Sequence, residues 1–184
     1  MNPTIKDASQ RMDKSIEAFR GEVAKIRTGK ATTALLDGVK IDYYGTPTPL
    51  KQAANVSVLD AHTLSVTPWD RSIVQIVEKA ILTADLGLNP SSDGTNVRIP
   101  IPILTEERRK DLVKMTKKMG EEAKVAIRNI RRDANDHLKK QEKEKSISED
   151  ELKLLENESQ KLTDTHISKI DEILKHKEKE IMEV

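Results

Sequence analysis

The sequence predicts an α+β protein in which a long three-helix bundle is interrupted by a small inserted β/α/β domain. Two observations carry this. Residues 1–29 and 105–184 are rich in Lys, Glu, Arg, Leu and Ile at helical spacing, whereas residues 31–104 hold six of the seven prolines and the β-branched runs that alternate with period two. A chain of 184 residues with 36% hydrophobic content can bury two modest cores of this kind.

The first helix opens with Asn2 as N-cap and Pro3 at the first helical position, where the missing N–H removes no bond. Ile5, Ala8, Met12, Ile16, Phe19, Val23 and Ile26 follow at steps of three and four, which gives one apolar stripe, and Gly29 supplies the stop. The second helix starts at Thr105, with Glu106 and Glu107 favoured by the positive end of the macrodipole. Its expected inner stripe is Leu112, Met115, Met119, Ala123, Ala126, Ile130, Ala134 and Leu138. Unbroken to residue 145, this helix is about 60 Å long. Ser148 and Glu151 have the spacing of a capping box for a third helix, with Leu152, Leu155, Leu162, Ile170, Leu174 and Ile181 facing inward. Amphipathic helices of this length bury their stripes against one another, hence the bundle.

Between the helical parts, Val39–Tyr43, Ala54–Val58, Thr63–Thr67 and Val97–Ile99 alternate as half-buried strands, and Gly45–Pro49 reads as a turn. Asp70 caps a short helix carrying Ile73, Val74, Val77, Ala80 and Ile81, which Gly87 ends. Trp69, the only Trp, follows a strand and is expected in the core. The insert joins the bundle by two crossings, Thr28-Gly29-Lys30-Ala31 outward and Ile101-Pro102 through Leu104 to Thr105 back. Two short crossings permit bending while limiting rotation, so a hinge is expected there.

No catalytic centre is legible. His62, His137, His166 and His176 lack paired metal-ligand spacing, there is no Cys, and neither GxxxxGK[ST] nor GxGxxG occurs. Acid pairs such as Asp133 with Asp136, or Glu121 with Glu122, read as solvated helix surface, since nothing suggests an apolar pocket to separate their pKa values. The expectation is a protein that is not an enzyme and uses no cofactor or metal. It is also expected to lack a membrane span and a signal peptide and to be cytoplasmic.

Charge is the informative property. The net value is +1, yet residues 105–145 carry 14 Lys/Arg against 9 Asp/Glu, while 146–184 carry 6 against 11. On the second long helix Lys110, Lys114, Lys117, Lys124, Arg128, Arg131 and Arg132 centre opposite Leu112 and Ile130, forming a basic ridge interrupted by Glu121. Arg128, Arg131 and Arg132 favour phosphate contact over mere solubility, because the guanidinium fork matches phosphate geometry and Lys would serve solubility equally well. An aromatic content of 2% argues against a base-stacking platform. Three readings fit these features: an RNA-binding factor, a helical adaptor that binds proteins through apolar stripes, and a hydrolase acting on RNA, for which no acid/base constellation is seen.

Several stretches carry a resemblance to a known family. They are IRTGKA (26–31), LLDG (35–38), YYGTPTPL (43–50), PWD (68–70), EKAI (78–81), DLGLNP (85–90), LTEERRK (104–110), IRNIRRDAND (127–136) and ISEDE (147–151). In this order, over nearly the whole chain, they resemble the ribosome recycling factors. The resemblance implies an L-shaped, monomeric molecule with the outline of a transfer RNA. It implies binding to the post-termination 70S ribosome through large-subunit ribosomal RNA, and work with elongation factor G, whose GTP hydrolysis drives subunit separation. The RNA-contacting arginines of the family fall on Arg128 and Arg131, with Arg109 and Arg132 as lesser candidates and Lys117 and Lys124 on the same ridge. One departure is Lys30, where the family usually has Arg, which removes a planar fork at the outgoing crossing.

Overall fold

A computed structural model describes residues 2–183. The chain divides into two compact units: one formed by the residues up to Arg27 together with Glu106–Glu183, the other by Thr28–Thr105.

The first unit is built from α1 (Pro3–Ala24), α4 (Glu106–Lys143) and α5 (Glu149–Met182). Asn2 caps α1, its side chain accepting from the Thr4 N–H at 2.9 Å, with Pro3 in the first turn. The helix stops five residues before Gly29: the N–H groups of Lys25 and Ile26 bond back three residues, to Glu22 and Val23, and this tighter turn ends the α-helical ladder. Ile5, Ala8, Met12, Ile16, Phe19 and Val23 are buried in register with the predicted stripe.

Helix α4 has 38 residues and is therefore about 57 Å long. Its inner face differs from the predicted one. Leu112, Thr116, Gly120, Ile127, Ile130, Ala134 and Leu138 are buried, whereas Met115 is 45% exposed. The stripe runs through a threonine and a glycine, residues that apolar pattern reading passes over. Thr116 can be buried because its hydroxyl donates to the Leu112 carbonyl at 2.7 Å. The helix ends in a Schellman arrangement: Ser146 N–H bonds to Gln141 O and Lys145 N–H to Glu142 O, both at 2.8 Å, with Lys145 at φ 59°, a position more often held by glycine.

The capping box of α5 forms as its spacing predicts, Glu151 N–H donating to Ser148 Oγ at 3.2 Å and Ser148 N–H to Glu151 Oε2 at 2.8 Å. Its inner face is again less apolar than expected. Ser159, Thr163 and His166 are buried ahead of Ile170 and Leu174, while Leu152, Leu155 and Leu162 lie half-buried beside them. Thr163 donates to Ser159 O at 2.8 Å, and the His166 ring lies 2.7 Å from Leu162 O and 3.0 Å from Asp13 Oδ1, tying α5 to α1. The bundle core joins Met12, Ile16 and Phe19 of α1 to Ile127 and Ile130 of α4 and to Ile170 and Leu174 of α5.

The second unit holds β1 (Lys40–Tyr43), β2 (Thr46–Pro49), α2 (Leu50–Ala53), β3 (Ala54–Asp60), β4 (Thr63–Pro68), α3 (Val74–Thr83), β5 (Ser91–Ser92) and β6 (Val97–Pro100). β1 and β2 pair antiparallel through a two-residue turn in which Tyr44 and Gly45 have φ 50° and 80°, the signature of a type I′ hairpin. The chain thus reverses within two residues, and the segment expected as a turn continues as a strand. Pro47 and Pro49 are tolerated because β2 pairs on one side only. The other four strands form an antiparallel sheet in the order β3-β4-β6-β5. Leu64 and Val66 of β4, Val97 and Ile99 of β6, and Val74, Val77 and Ile81 of α3 share one core.

Asp70 caps the start of a 3-10 turn, Arg71–Ile73, that leads into α3, which ends at Thr83, ahead of Gly87. Trp69 is not in the core but 69% exposed. The reason is the period of β4: Leu64, Val66 and Pro68 point inward, which sends position 69 out, while its N–H bonds to Ala53 O at 3.1 Å. Gly29, Ala31 and Ile101 belong to this unit rather than to loose linkers. Ala31 N–H bonds to Ala61 O at 2.9 Å, Ile101 N–H to His62 O at 2.7 Å, and the His62 ring lies 3.2 Å from Gly29 O.

Candidate nucleic-acid interface

The basic residues of α4 fall into distinct environments once α5 is packed against it. Lys124, expected on the outward ridge, lies at the α4–α5 boundary with its side chain only 14% exposed. Its ammonium is 2.6 Å from Asp171 Oδ1 and 3.1 Å from Glu121 Oε1. The hydrogen bond to Asp171 holds this ammonium above the usual lysine pKa, against the opposing effect of partial burial. Lys117 stands 3.8 Å from Glu178 of α5, and Lys110 pairs with Glu106 at 2.8 Å. These three charges have carboxylate partners within the bundle.

Arg131 is also turned toward α5 and half-buried, but its contact is neutral: Nη1 donates to Gln160 Oε1 at 2.7 Å. Asp133, a possible partner for it by sequence, instead accepts from Arg11 of α1 at 2.8 Å. Arg128 is half-buried and Arg132 exposed, and among the described residues neither has a carboxylate within ion-pair distance. The same holds for Lys114 and for Lys118, which the ridge read from the sequence omitted. Lys118 becomes recognisable once Thr116 and Gly120 are placed on the inner face, since that turns the outer face by about 40°, a little under half a residue step, toward Lys118. Arg109, near the helix start, is half-buried, with its Nε lacking a hydrogen-bond partner.

The outer surface of α4 therefore offers Lys114, Lys118, Arg128 and Arg132 as uncompensated cations along one helix, with Arg131 at its edge. Such a row can neutralise phosphates spaced along a nucleic-acid backbone and release their counterions. The groove between α1 and α4, lined by Asp7, Arg11, Asp133, Asp136 and His137, is acidic by comparison. Among the described residues no three His, Asp or Glu side chains converge as metal ligands, and no helix is long and apolar enough to cross a membrane.

Of the residues at the two crossings, Thr28, Ala31 and Ile101 are buried, Leu104 is half-buried, and Lys30, Pro102 and Thr105 are exposed. Gly29 has φ 78°, and a Cβ there would lie 3.4 Å from Leu104 Cγ and from Pro102 O.

The family model for ribosome recycling factor matches residues 19–182. The ribosome-recycling factor of Thioalkalivibrio sulfidiphilus is 60% identical over 179 residues, covering 97% of both chains. A solution structure of a ribosome recycling factor superposes with a TM-score of 0.75 at 41% identity, covering 98% of this chain and 96% of that one. Models for the T. thermophilus ribosome recycling factor and the E. coli elongation factor G bound to the E. coli post-termination complex give 0.62 at 49% identity, with 97% of each chain covered. On identity, coverage and fold together, the chain belongs to the ribosome recycling factor family.

Proposed function

We propose that this protein, as a monomer, binds the post-termination ribosome by laying the outer face of α4 on large-subunit ribosomal RNA, and that elongation factor G and GTP then drive the subunits apart. The single observation that carries the RNA contact is the row of uncompensated cations on α4, set against the neutralised Lys110, Lys117 and Lys124 of the same helix. An exposed guanidinium without an internal partner gives up only water and counterions on meeting a phosphate, so its charge is available for binding. The protein performs no chemistry in this scheme. It acts as a wedge, and the energy comes from the nucleotide of its partner.

Movement of the second unit is part of the reading. Bending is assigned to the two boundaries at which the chain passes between the units, after Arg27 and after Thr105. The relative that has been placed on the post-termination complex together with elongation factor G supports the choice of partners.

The test is ribosome binding by an Arg128→Ala, Arg131→Ala double variant across a salt series. The variant is expected to keep thermal stability within about 0.5 kcal/mol, since both side chains lie outside the core. It should lose affinity, and its log affinity against log salt should flatten by roughly one unit per arginine. Wild-type affinity and salt dependence in the double variant would overturn the assignment of α4 as the RNA-binding face. A helical adaptor held by apolar contacts would show no steep salt dependence even in the wild type.

A further inference from the structure

Arg131 is the end of a three-residue chain of hydrogen bonds that crosses from α4 to α5. Its Nη1 donates to Gln160 Oε1 at 2.7 Å, and Gln160 Nε2 donates to Asp164 Oδ1 at 2.8 Å. Gln160 and Asp164 stand four residues apart on α5, the spacing that places two side chains on one helical face. The direction of the chain is fixed by chemistry. An ionised carboxylate can only accept, so the NH2 end of the Gln160 amide must face Asp164 and its oxygen must face the guanidinium. The guanidinium, which can only donate, calls for the amide oxygen, and Asp164 fixes the same orientation from the other end of the amide.

Two consequences distinguish Arg131 from the other cations facing α5. The guanidinium is engaged through one of its five N–H donors, which leaves a fork open to an incoming phosphate. Its partner is also uncharged, so the tether orients the side chain without cancelling its charge, in contrast to Lys124 between Asp171 and Glu121. A long side chain fixed before binding loses less freedom when it binds.

We propose that Gln160, locked by Asp164, is a positioning residue for Arg131, holding the guanidinium at the α4–α5 edge with its charge free for an RNA phosphate. This rests on the reading of α4 as the RNA-binding face. No RNA contact is assigned to Gln160 itself.

The experiment measures binding to purified ribosomes over a salt series for wild type, Gln160→Leu, Gln160→Glu, Arg131→Ala and the Gln160→Leu, Arg131→Ala double variant. Gln160 is exposed, so these variants retain the bundle, which circular dichroism verifies. Gln160→Leu is expected to weaken binding by about two- to tenfold, the range expected for immobilising one long side chain. Its salt slope should not change, because no charge is lost. Gln160→Glu keeps an acceptor against Arg131 but sets a carboxylate on the guanidinium, so its slope should flatten by roughly one unit. In the Arg131→Ala background, Gln160→Leu should have no further effect. If Arg131→Ala weakens binding while Gln160→Leu does not, or if Gln160→Leu costs the same in both backgrounds, the positioning role is wrong and the RNA-binding face stands. If Arg131→Ala binds as wild type, Arg131 is no RNA ligand and both conclusions fall at this residue.

Discussion

Replacing Gly120 by Ala sets two effects of opposite sign against each other, and the structure decides between them. In an exposed helix interior the change is favourable by about 1 kcal/mol, because alanine loses less backbone freedom on folding. Here the added methyl would lie 2.8 Å from Cδ2 and 3.0 Å from Cγ of Leu174, with Cδ1 nearer still. Leu174 is buried in the bundle core with Ile170 and residues of α1 and α4, so its side chain must shift within that packing to admit the methyl. Overpacking of this kind costs about 1–3 kcal/mol. The bundle is therefore expected to lose about 1 kcal/mol on balance, the reverse of what helix preference alone gives. Urea unfolding followed by far-ultraviolet circular dichroism measures it. A companion variant sharpens the test: Leu174→Ala alone should cost about 2–5 kcal/mol, and combining it with Gly120→Ala should recover about 1–2 kcal/mol, as the new methyl occupies the vacated volume. A Gly120→Ala protein more stable than wild type, or strictly additive costs in the double variant, would show that α4 and α5 do not approach closely at this point.

Lys124→Ala should lower bundle stability by up to about 1 kcal/mol through loss of the Asp171 pair, and leave the salt slope of ribosome binding unchanged. Because that pair raises the Lys124 pKa, its contribution is complete below the free lysine value near about 10.4 and lost as pH rises through the raised one. Wild type and variant should therefore converge at strongly alkaline pH, and curves that stay parallel would count against the pairing. The Ser148 N–H and, after it, the Ser148 hydroxyl hold the Glu151 carboxyl below the usual range, and Ser148→Ala keeps the first and removes the second. That stabilisation is present above the ordinary glutamate pKa, near about 4.3, and disappears as pH falls through the lowered one, so the stability gap between wild type and Ser148→Ala should be full at neutral pH and narrow in acid. A gap independent of pH would assign the cap's effect to Ser148 alone. Lys145→Gly should stabilise the bundle by about 0.5–1 kcal/mol, since glycine relieves the Cβ clash at φ 59° at some cost in unfolded-state entropy; a loss of thermal stability would contradict the Schellman assignment.

What the sequence determined by itself is local. Asn2 before Pro3, Ser148 three residues before Glu151, and Asp70 before Ser72 each form the cap their spacing predicts, because a cap needs partners only two or three residues away. The stripe of α1 is equally legible, being apolar at each buried position from Ile5 to Val23. The alternating strands are found for the same reason, and Arg128 stands out as a candidate RNA ligand from its residue type and helical spacing. The rest was decided in three dimensions. Only the closeness of α5 makes Thr116 and Gly120 the inner face of α4 and leaves Met115 outside, since a small residue is buried where backbones approach and not where hydrophobicity is highest. Only a hairpin partner turns the proline-rich 46–49 into a strand. The difference between a neutralised Lys124 and an Arg131 held by an amide lies in Asp171 and Gln160, both on α5 and far along the chain. Charge along a sequence states how many cations a helix carries; which of them remain uncompensated depends on the acids that folding brings within a few ångströms, because ion pairing falls off with distance in space and is indifferent to separation along the chain.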